Sequence, residues 1–331
     1  MKKVTLESIG KELGISKVAV FKALNDKAGI SDDVRRQAKS LADKLGYKRP
    51  VSHYKTKLDF LFFINKDFFL STGEQFYTEI YYYLNAECES IESKLNIVFG
   101  ENKSADALRV YLGNSKNVMP SGVFIAGEIE PQGFEYLQTV NIPVVFIDYY
   151  SPLYKFDYVH VDNYHLSYFA ANYLISKGHK QIGFVGNVDS TSSILDRYLG
   201  YTKAMIEKGL GPQKEHHINV NIEKVNDFDN ILPSRIPTAY ICHCDSAAHK
   251  LYLLLKIRNL TVPDDVSIIS FDNTEICKTL TPALTSIGVS KEKYAKKAIE
   301  AMMNIINKTS KTSNNILRPS ITERSSVKVI N

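Results

Sequence analysis

The stretch that most constrains the fold of this chain is residues 4–25, VTLESIGKELGISKVAVFKALN. Its apolar residues recur at helical spacing in two short runs. Gly14 lies between the runs, where a sharp exit from a helix favours a residue that tolerates a positive φ angle. Thr5 and Ser16 each precede a run, where a side-chain oxygen can cap a helix. The pattern predicts a helix-turn-helix, whose second helix enters the DNA major groove.

The alternative is an ordinary helical hairpin, and the neighbouring residues decide between the two. Ser31 is a predicted cap for a third helix over residues 31–45, with acidic residues in its first turn and Gly46 after its end. Residues 1–57 contain 14 Lys and Arg against 6 Asp and Glu, a formal charge of +8; the chain is +5, so residues 58–331 carry −3. Basic charge concentrated on a small terminal module indicates phosphate binding.

The same stretch, followed by GISDDVR and KLGYKRP, resembles the headpiece of the lactose-repressor (LacI/GalR) family of bacterial regulators. The family pattern is roughly V-T-x-x-D-[VI]-A-x-x-[AL]-G-V-S-x-x-T-V-S-R-x-L-N, then V-S-x-x-T-R and L-G-Y-x-P. The resemblance spans nearly all of residues 4–50. We therefore assign residues 1–48 to a DNA-binding headpiece.

Residues 49–57 form the predicted linker between headpiece and body, because they are basic, contain Pro50 and lack apolar periodicity. In the family this link is longer and includes a hinge helix that inserts a Leu into the minor groove, which unstacks a base step. Here no Leu precedes Leu58, and Tyr54 or Val51 would have to take its place. Whether such a wedge forms stays open at this point.

Length and composition indicate a multidomain protein of the cytoplasm. A chain of 331 residues usually holds two or three domains. No apolar run approaches the roughly 18 residues that span a bilayer, and the N-terminus lacks the apolar core of a signal peptide. The four cysteines are scattered, which favours reduced thiols over disulfides: Cys88, Cys242, Cys244 and Cys277.

From Leu58 onward, short apolar strand patterns alternate with helical patterns, as in LDFLFFI, SGVFIAG, PVVFID, KQIGFVG, TAYICHC and DVSIISFD. Alternating βα units imply parallel sheets, here enough for two α/β lobes. We predict lobe 1 over about 58–158 plus 288–318 and lobe 2 over about 159–287 plus 319–331. A helical pattern over 291–306 suggests that the chain returns to lobe 1.

The body also resembles the same family, whose body has the periplasmic-binding-protein fold. The matching segments are SGVFIAG, VHVDNYHLSYFAANYLISKGHKQIGFVG, DRYLGYTKAM and VPDDVSIISFDNTEICKTLTPALTSI. The resemblance covers most of the chain. It implies a helix-turn-helix headpiece followed by a two-lobed effector-binding and dimerisation domain.

The family reads bases with the first two residues of the second helix and with one residue a turn later, which here are Lys17, Val18 and Lys22. Lys22 replaces a usual Arg, and Phe21 replaces a usual Ser; the Phe21 ring either removes a phosphate contact or packs on a sugar or on the core. The alternative for the lysines is a solvated basic face. Four further residues are interpreted as caps first and phosphate donors second: Thr5, Ser16, Asn25 and Ser31.

Ligands of two-lobed α/β proteins bind at the C-terminal ends of strands, in the crevice between lobes. Candidate effector residues at such positions are Asp148, Arg197, Cys244, Asp245 and Asp272. The resemblance implies effector contacts for Asp148, Arg197 and Asp272, whereas Cys244 stands where the family often has Asn. Carboxylates and a guanidinium suit a polyol such as a sugar. Alternatively, the two aspartates cap loops and Arg197 pairs with one of them.

No motif for catalysis or for a cofactor is present. The Cys242-His243-Cys244 run invites a metal interpretation, but strand alternation places the two thiols on one face and the imidazole on the other. The chain has no G-x-S-x-G, Walker or G-x-G-x-x-G loop. We therefore expect neither an enzyme nor a metal protein.

Together these patterns predict a sequence-specific transcriptional regulator, most simply a repressor, that forms a homodimer or a higher even-numbered oligomer. It would bind a pseudo-palindromic double-stranded DNA operator, because one small headpiece reads too few base pairs for specificity. A small effector, a sugar or sugar derivative, would control it. The alternative is a solute-binding protein with the same body fold; the missing signal peptide and the basic headpiece argue against it.

Overall fold

The computed structural model describes residues 4–24, 29–45, 47, 58–70, 75–114, 116–211, 213–222, 225, 231–309 and 313–330. The chain divides into two compact units, Met1–Thr56 and Lys57–Asn331, which are described separately here as headpiece and body. The predicted linker, residues 49–57, lies outside the described residues.

The headpiece contains α1 (Leu6–Leu13), α2 (Lys17–Leu24) and α3 (Asp32–Lys44). Gly14 ends α1 in the left-handed region, with φ of 64°, as the sequence predicts. The chain then turns directly into α2. Residues from all three helices form one small core, in which the fully enclosed side chains are Ile9, Val20, Ala23, Leu24, Ala38 and Ala42.

Lobe 1 of the body is built on a parallel sheet in the order β11-β5-β4-β3-β1-β2. Its strands are β1 (Asp59–Asn65), β2 (Lys94–Gly100), β3 (Gly122–Ala126), β4 (Val144–Ile147), β5 (Asp157–Val161) and β11 (Asn314–Leu317). The helices of this lobe are α4 (Lys66–Leu70), α5 (Phe76–Ser90), α6 (Asp106–Gly113), α7 (Pro131–Thr139) and α12 (Lys291–Ile306). Strands buried on both faces explain the continuous apolar runs of the sequence.

Lobe 2 is built on a second sheet in the order β12-β10-β9-β8-β6-β7, parallel except for β12. Its strands are β6 (Ile182–Val185), β7 (His217–Ile218), β8 (Ala239–Cys242), β9 (Ser267–Phe271), β10 (Thr285–Gly288) and β12 (Ser320–Thr322). Its helices are α8 (Asn163–Ser176), α9 (Ser192–Glu207), α10 (Asp245–Ile257), α11 (Ile276–Thr279) and a 3₁₀ turn at Lys214–His216.

Helices α8 and α9 pack closely because Gly200 has no side chain. A Cβ built at Gly200 would lie 2.0 Å from the carbonyl oxygen of Tyr164 on α8. This contact fixes the position of α9, which carries Arg197 on its buried side. The glycine of the DRYLGY segment therefore serves the placement of the neighbouring arginine.

The predicted fold class is confirmed, with differences at the lobe crossings. The sequence put the first crossing near residue 158, but β5 pairs with β4 and β11 in lobe 1 as far as Val161. The helix at 291–306 packs on α5, β4 and β5 of lobe 1, as expected. The last strand of lobe 2, β12 at Ser320–Thr322, pairs antiparallel with β10.

No helix in the described ranges is both long and apolar enough to cross a bilayer. The four cysteines are all buried as free thiols.

Candidate functional site

The second headpiece helix leaves its predicted base-reading residues away from the core. Lys17 is exposed and Val18 is 63% exposed, whereas Lys22 is half-buried. Val20 and Ala23, on the opposite side of α2, are fully enclosed. One face of α2 therefore holds the headpiece together and the other carries cationic and apolar groups. The placement of the Phe21 side chain and of Asn25 lies outside what the structure describes.

Three of the four predicted capping residues, Thr5, Ser16 and Ser31, cap the starts of helices. The Thr5 hydroxyl accepts a hydrogen bond from the Ser8 amide at 3.2 Å, and the Ser8 hydroxyl accepts one from the Thr5 amide at 2.9 Å. The Ser16 hydroxyl accepts from the Ala19 amide at 3.1 Å and thereby begins α2. Ser31 accepts from the Val34 amide at 3.4 Å at the start of α3. These bonds satisfy backbone donors that a helix start otherwise leaves unpaired.

In the body, the carboxyl ends of the strands of both lobes face one cavity of about 100 Å³. Four predicted effector residues line it: Asp148 from lobe 1, and Arg197, Cys244 and Asp272 from lobe 2. The structure thus brings together residues that are up to 124 positions apart in sequence (272 − 148). The fifth predicted residue, Asp245, does not line the cavity.

Arg197 is held by partners on every side of its guanidinium group. Nε donates to the Asn163 side-chain oxygen at 2.8 Å, and Nη1 donates to the His243 carbonyl oxygen. Nη2 lies 3.6 Å from Asp272 Oδ1, and the guanidinium carbon lies 4.9 Å from the centre of the Phe271 ring. The predicted pairing of Arg197 with one of the aspartates is therefore present beside its position in the cavity. A guanidinium fixed in this way is oriented before any ligand arrives.

Asp148 follows β4 with a φ of 59°, in the left-handed region that turns its carboxylate toward the cavity edge. The Tyr77 hydroxyl donates to Oδ2 at 2.9 Å and the Tyr294 hydroxyl donates to Oδ1 at 3.1 Å. Burial raises the pKa of Asp148, and the nearby Arg197 charge and the two phenol hydrogen bonds offset part of that rise. The carboxylate retains lone pairs for hydroxyl donors, since each oxygen accepts one phenol proton.

Two polar contacts join the lobes across the cavity. The Ser192 amide of lobe 2 lies 3.4 Å from Glu128 Oε2 of lobe 1, whose carboxylate also pairs with Lys103 at 2.8 Å. Lys291 of α12 donates to the Asp272 carbonyl oxygen of lobe 2 and lies 3.6 Å from Glu79 on α5. A change in the separation of the lobes must therefore alter hydrogen bonds at both places.

Asp245 is a structural residue of lobe 2, which corrects its prediction as an effector contact. It is 1% exposed, and its carboxylate accepts from the Ser286 hydroxyl at 2.7 Å and from the Ser270 hydroxyl. The Thr274 amide and hydroxyl donate to its other oxygen at 2.7 and 2.9 Å. Four internal donors occupy both oxygens, so Asp245 ties α10 to the ends of β9 and β10.

Cys244 both lines the cavity and caps α10. Its sulfur accepts from the Ala247 amide at 3.4 Å, in the position where a side-chain oxygen usually serves. Cys242 and Cys244 pack in the apolar core of lobe 2, and His243 lines the cavity with Cys244. Within the described ranges no group of three His, Cys, Asp or Glu side chains is placed to hold a metal ion.

Aromatic rings on the lobe 1 side of the cavity were not identified from the sequence. They belong to Phe68 on α4, Phe76 and Tyr77 on α5, and Tyr149 after β4. Tyr149 directly follows Asp148, and its pKa is raised to about 12 by burial and the Glu128 charge. For Tyr149, the position directly after a strand was a sequence signal for the ligand-binding edge. Phe68, Phe76 and Tyr77 lie on helices, where aromatic residues ordinarily pack in the core.

Comparison with known proteins finds transcriptional regulators that match most of the chain. A family model described as a periplasmic binding protein-like domain matches residues 171–327. The chain is 25% identical to the HTH-type transcriptional repressor PurR of Actinobacillus pleuropneumoniae over 308 residues, 91% of each chain. It is 25% identical to the HTH-type transcriptional regulator DegA of Bacillus subtilis over 297 residues, 86% of each chain. Over most of its length the chain is thus similar to transcriptional regulators of the LacI/GalR type.

The fold agrees with solved structures of LacI/GalR regulators over nearly the whole chain. The CelR–cellobiose complex gives a TM-score of 0.71 at 18% identity and covers 98% of this chain and 99% of that one. The Lac repressor dimer bound to operator and the anti-inducer ONPF gives a TM-score of 0.68 at 17% identity. The match covers 99% of this chain and 100% of that one. The similarity to named transcriptional regulators favours a regulator over a solute-binding protein, and these relatives are named as regulators rather than as enzymes.

Proposed function

We propose that this LacI/GalR-family chain is a transcriptional repressor that binds a pseudo-palindromic operator and is controlled by a sugar or sugar derivative bound between its lobes. The observation that carries the proposal is the cavity that collects Asp148, Arg197 and Asp272 from two lobes. The headpiece supplies the other half of the function, because Lys17 and Val18 stay exposed on α2. Lys17 and Lys22 would donate to guanine edges or phosphates, and Val18 would contact a thymine methyl.

The proposed repressor acts as a homodimer or a higher even-numbered oligomer. One three-helix headpiece contacts only a few base pairs, so specificity needs two headpieces on paired half-sites. The capping hydroxyls of Thr5, Ser16 and Ser31 would contact phosphates near the helix starts, as would Asn25. The Lac repressor neighbour is described as a dimer bound to operator, which supports this assembly.

A polyol effector suits the chemistry of the cavity. The Asp148 and Asp272 carboxylates can accept from pairs of sugar hydroxyls, and Arg197 and the phenol groups can donate to sugar oxygens. Aromatic rings at the lobe 1 side provide apolar faces for the C–H surface of a sugar ring. The CelR neighbour is a cellobiose complex, which supports a carbohydrate ligand for this chain. The effector shifts the lobe equilibrium only by its differential affinity for the two states.

The repressor proposal is tested by binding of the full-length protein to genomic DNA fragments in gel-shift experiments at several salt concentrations. We expect sequence-selective binding that weakens steeply with salt, because phosphate contacts release counterions. Binding without sequence preference, or no binding, would contradict the proposal. Thermal-shift screening against a panel of sugars and sugar phosphates then identifies stabilising ligands, which are added to the DNA-binding assay.

Lys22→Ala tests base recognition by α2. If Lys22 contacts a base, the variant should lose about 1–3 kcal/mol of discrimination at one operator position, measured by competition among operators with single substitutions. Lys44→Ala is the charge-matched control, because Lys44 is exposed on α3 and not on the predicted reading helix. A uniform loss over all sequences in Lys22→Ala would mark Lys22 as a phosphate contact instead.

A further inference from the structure

A second cavity of about 200 Å³ adjoins the first. The two cavities share lining residues: Asp148, Tyr149, Ser192 and Ser193. They therefore form one continuous cleft that extends from the strand ends of β3 and β4 toward those of β5 and β11. Among the predicted effector residues, Asp148 lines both cavities, whereas Arg197, Cys244 and Asp272 line the first.

An aromatic face forms one wall of the second cavity. The Tyr150 ring stacks on the His160 imidazole with a centre-to-centre distance of 4.9 Å and an angle of 6° between planes. Both ring nitrogens of His160 contact oxygens, the Val161 carbonyl at 2.9 Å and Asn314 Oδ1 at 2.6 Å, so the imidazole is held in place. Tyr150 remains 42% exposed. A fixed, partly exposed ring of this kind suits the apolar face of a pyranose.

Polar groups lie around this aromatic face. Asp162 is occupied as the cap of α8, since it accepts from the His165 amide at 3.0 Å and contacts its ring at 2.7 Å. Asp196 also lines this cavity, on the exposed side of α9. Its carboxylate oxygens can accept a hydrogen bond from a ligand hydroxyl. The side-chain nitrogen of Asn314 is a further donor at the wall.

Asn163 connects the two cavities. It is 9% exposed, lines the second cavity, and accepts from Arg197 Nε at 2.8 Å through its side-chain oxygen. A ligand group bound beside Asn163 would thus act on the residue that orients Arg197. The hydrogen bond between Asn163 and Arg197 therefore connects the residues of the two cavities.

We propose, building on the carbohydrate effector proposed above, that the cleft binds a carbohydrate of at least two rings. One ring lies against Asp148, Arg197 and Asp272, and the next ring stacks on Tyr150 and donates a hydroxyl to Asp196. A monosaccharide placed against Asp148, Arg197 and Asp272 leaves the cavity beside Tyr150 without a ligand group. The effector class is therefore a disaccharide or longer oligosaccharide.

The first test compares ring number, using isothermal titration calorimetry on the full-length protein. The probes are maltose, cellobiose, lactose, trehalose and sucrose, with glucose, galactose and fructose as their components. We expect at least one disaccharide to bind more than about tenfold more tightly than either of its component monosaccharides, which corresponds to one further well-made polar contact. A monosaccharide that binds as tightly as every disaccharide would overturn the inference.

The second test uses Tyr150→Ala and Asp196→Asn. Each should weaken binding of the selected disaccharide by about tenfold and leave binding of its monosaccharide unchanged. Tyr82→Ala and Asp106→Asn are matched controls, because both side chains are exposed and neither lines the cleft. Equal losses for one-ring and two-ring ligands would contradict a second-ring site, and thermal unfolding checks that the variants fold.

The outcomes separate this inference from the proposed function. Operator binding with a monosaccharide effector would retain the sugar-controlled repressor and remove the two-ring ligand. Operator binding without response to any sugar would remove both the carbohydrate effector and the two-ring ligand, while the DNA-binding part stands.

Discussion

The two lobes hold their charged cleft residues in opposite ways. In lobe 2, Arg197 is surrounded by an amide oxygen, a carbonyl oxygen, the Asp272 carboxylate and the Phe271 ring. In lobe 1, Asp148 accepts hydrogen bonds from two phenol groups, and its burial raises its pKa. The guanidinium is thus matched by its surroundings in the absence of ligand, whereas burial disfavours the charged form of the Asp148 carboxyl.

This difference distinguishes a residue that stabilises the cleft, Arg197, from a residue whose main role is in ligand binding, Asp148. Removing a matched buried charge leaves its partners uncompensated, which destabilises the protein strongly. Removing a charge that burial disfavours relieves the fold and harms only binding. Stability and effector affinity should therefore respond differently to substitutions in the two lobes.

Arg197→Ala should give the largest effect. It leaves the Asp272 carboxylate and the Asn163 amide without their cation, and we expect a loss of about 3–5 kcal/mol in stability by thermal or urea unfolding of the body. Effector response should disappear in the gel-shift assay, while operator affinity without effector is retained. Lys278→Ala is the control, because its pair with Glu275 at 2.6 Å is exposed and contributes little to stability. An unchanged effector response would refute the role of Arg197.

Asp245→Asn should destabilise lobe 2 without changing effector affinity. The amide cannot accept from the Ser and Thr donors as the carboxylate does, and hydrogen bonds to a charged group contribute about 1.5–3 kcal/mol. Urea unfolding measures the loss, and calorimetry with the selected sugar should give an affinity within about twofold of the wild type once binding is measured well below the unfolding transition. A loss of affinity at unchanged stability would return Asp245 to the set of effector contacts.

Asp148→Asn should weaken effector binding without lowering the stability of the protein. We expect about a tenfold loss of effector affinity, since a charged acceptor of ligand hydroxyls is removed. Stability should stay constant or rise, because Asn tolerates the φ of 59° and carries no buried charge. A marked destabilisation would contradict this expectation. It would show that neighbouring groups in the folded protein compensate the charge of Asp148, as they do the charge of Arg197.

The pH dependence of the wild type follows from the raised pKa of Asp148. A carboxyl whose pKa is higher in the folded state binds more protons there, so its contribution to stability falls as pH rises through the window between its ordinary and its raised pKa. Effector affinity should move in the opposite direction and weaken as pH falls through the raised pKa. In Asp148→Asn, the contribution of this carboxyl to the pH dependence of stability and of effector affinity should be absent.

Tyr294→Phe should give the smallest effect. It removes one of the two donors to Asp148, which raises the pKa of that carboxyl further and shifts the pH midpoint of effector binding upward. The loss of binding at neutral pH should be about 0.5–1.5 kcal/mol by calorimetry. Tyr173→Phe is the control, because its hydroxyl bonds to Glu323 at 2.8 Å on the surface of lobe 2. A pH midpoint that does not move would argue that Tyr294 only packs.

What the sequence predicted well depended on near neighbours in the chain. The caps at Thr5 and Ser16 and the turn at Gly14 involve residues within a few positions, and the structure confirms them. Asp148 and Asp272 were predicted because a residue after a parallel strand lies at the ligand-binding edge. For these features, local pattern and family resemblance carried the same information.

What the sequence did not predict depended on distant partners. Asp245 follows a strand like Asp148, but Ser270 and Ser286, 25 and 41 positions further along, occupy its oxygens. The aromatic side of the cavity depends on which face α5 turns toward the sheet. The five-residue helix α4 leaves too short a pattern to detect, so Phe68 gave no signal. In each case tertiary packing chooses among side chains that look alike in sequence.

The two contacts that bridge the cleft, Glu128 with the Ser192 amide and Lys291 with the Asp272 carbonyl, are both polar. Water can replace such bonds at little cost when the lobes separate. The balance between the open and closed arrangements is then adjustable by single substitutions at these bridges. The effector concentration needed to shift this balance could accordingly drift during evolution while the residues that line the cleft stay unaltered.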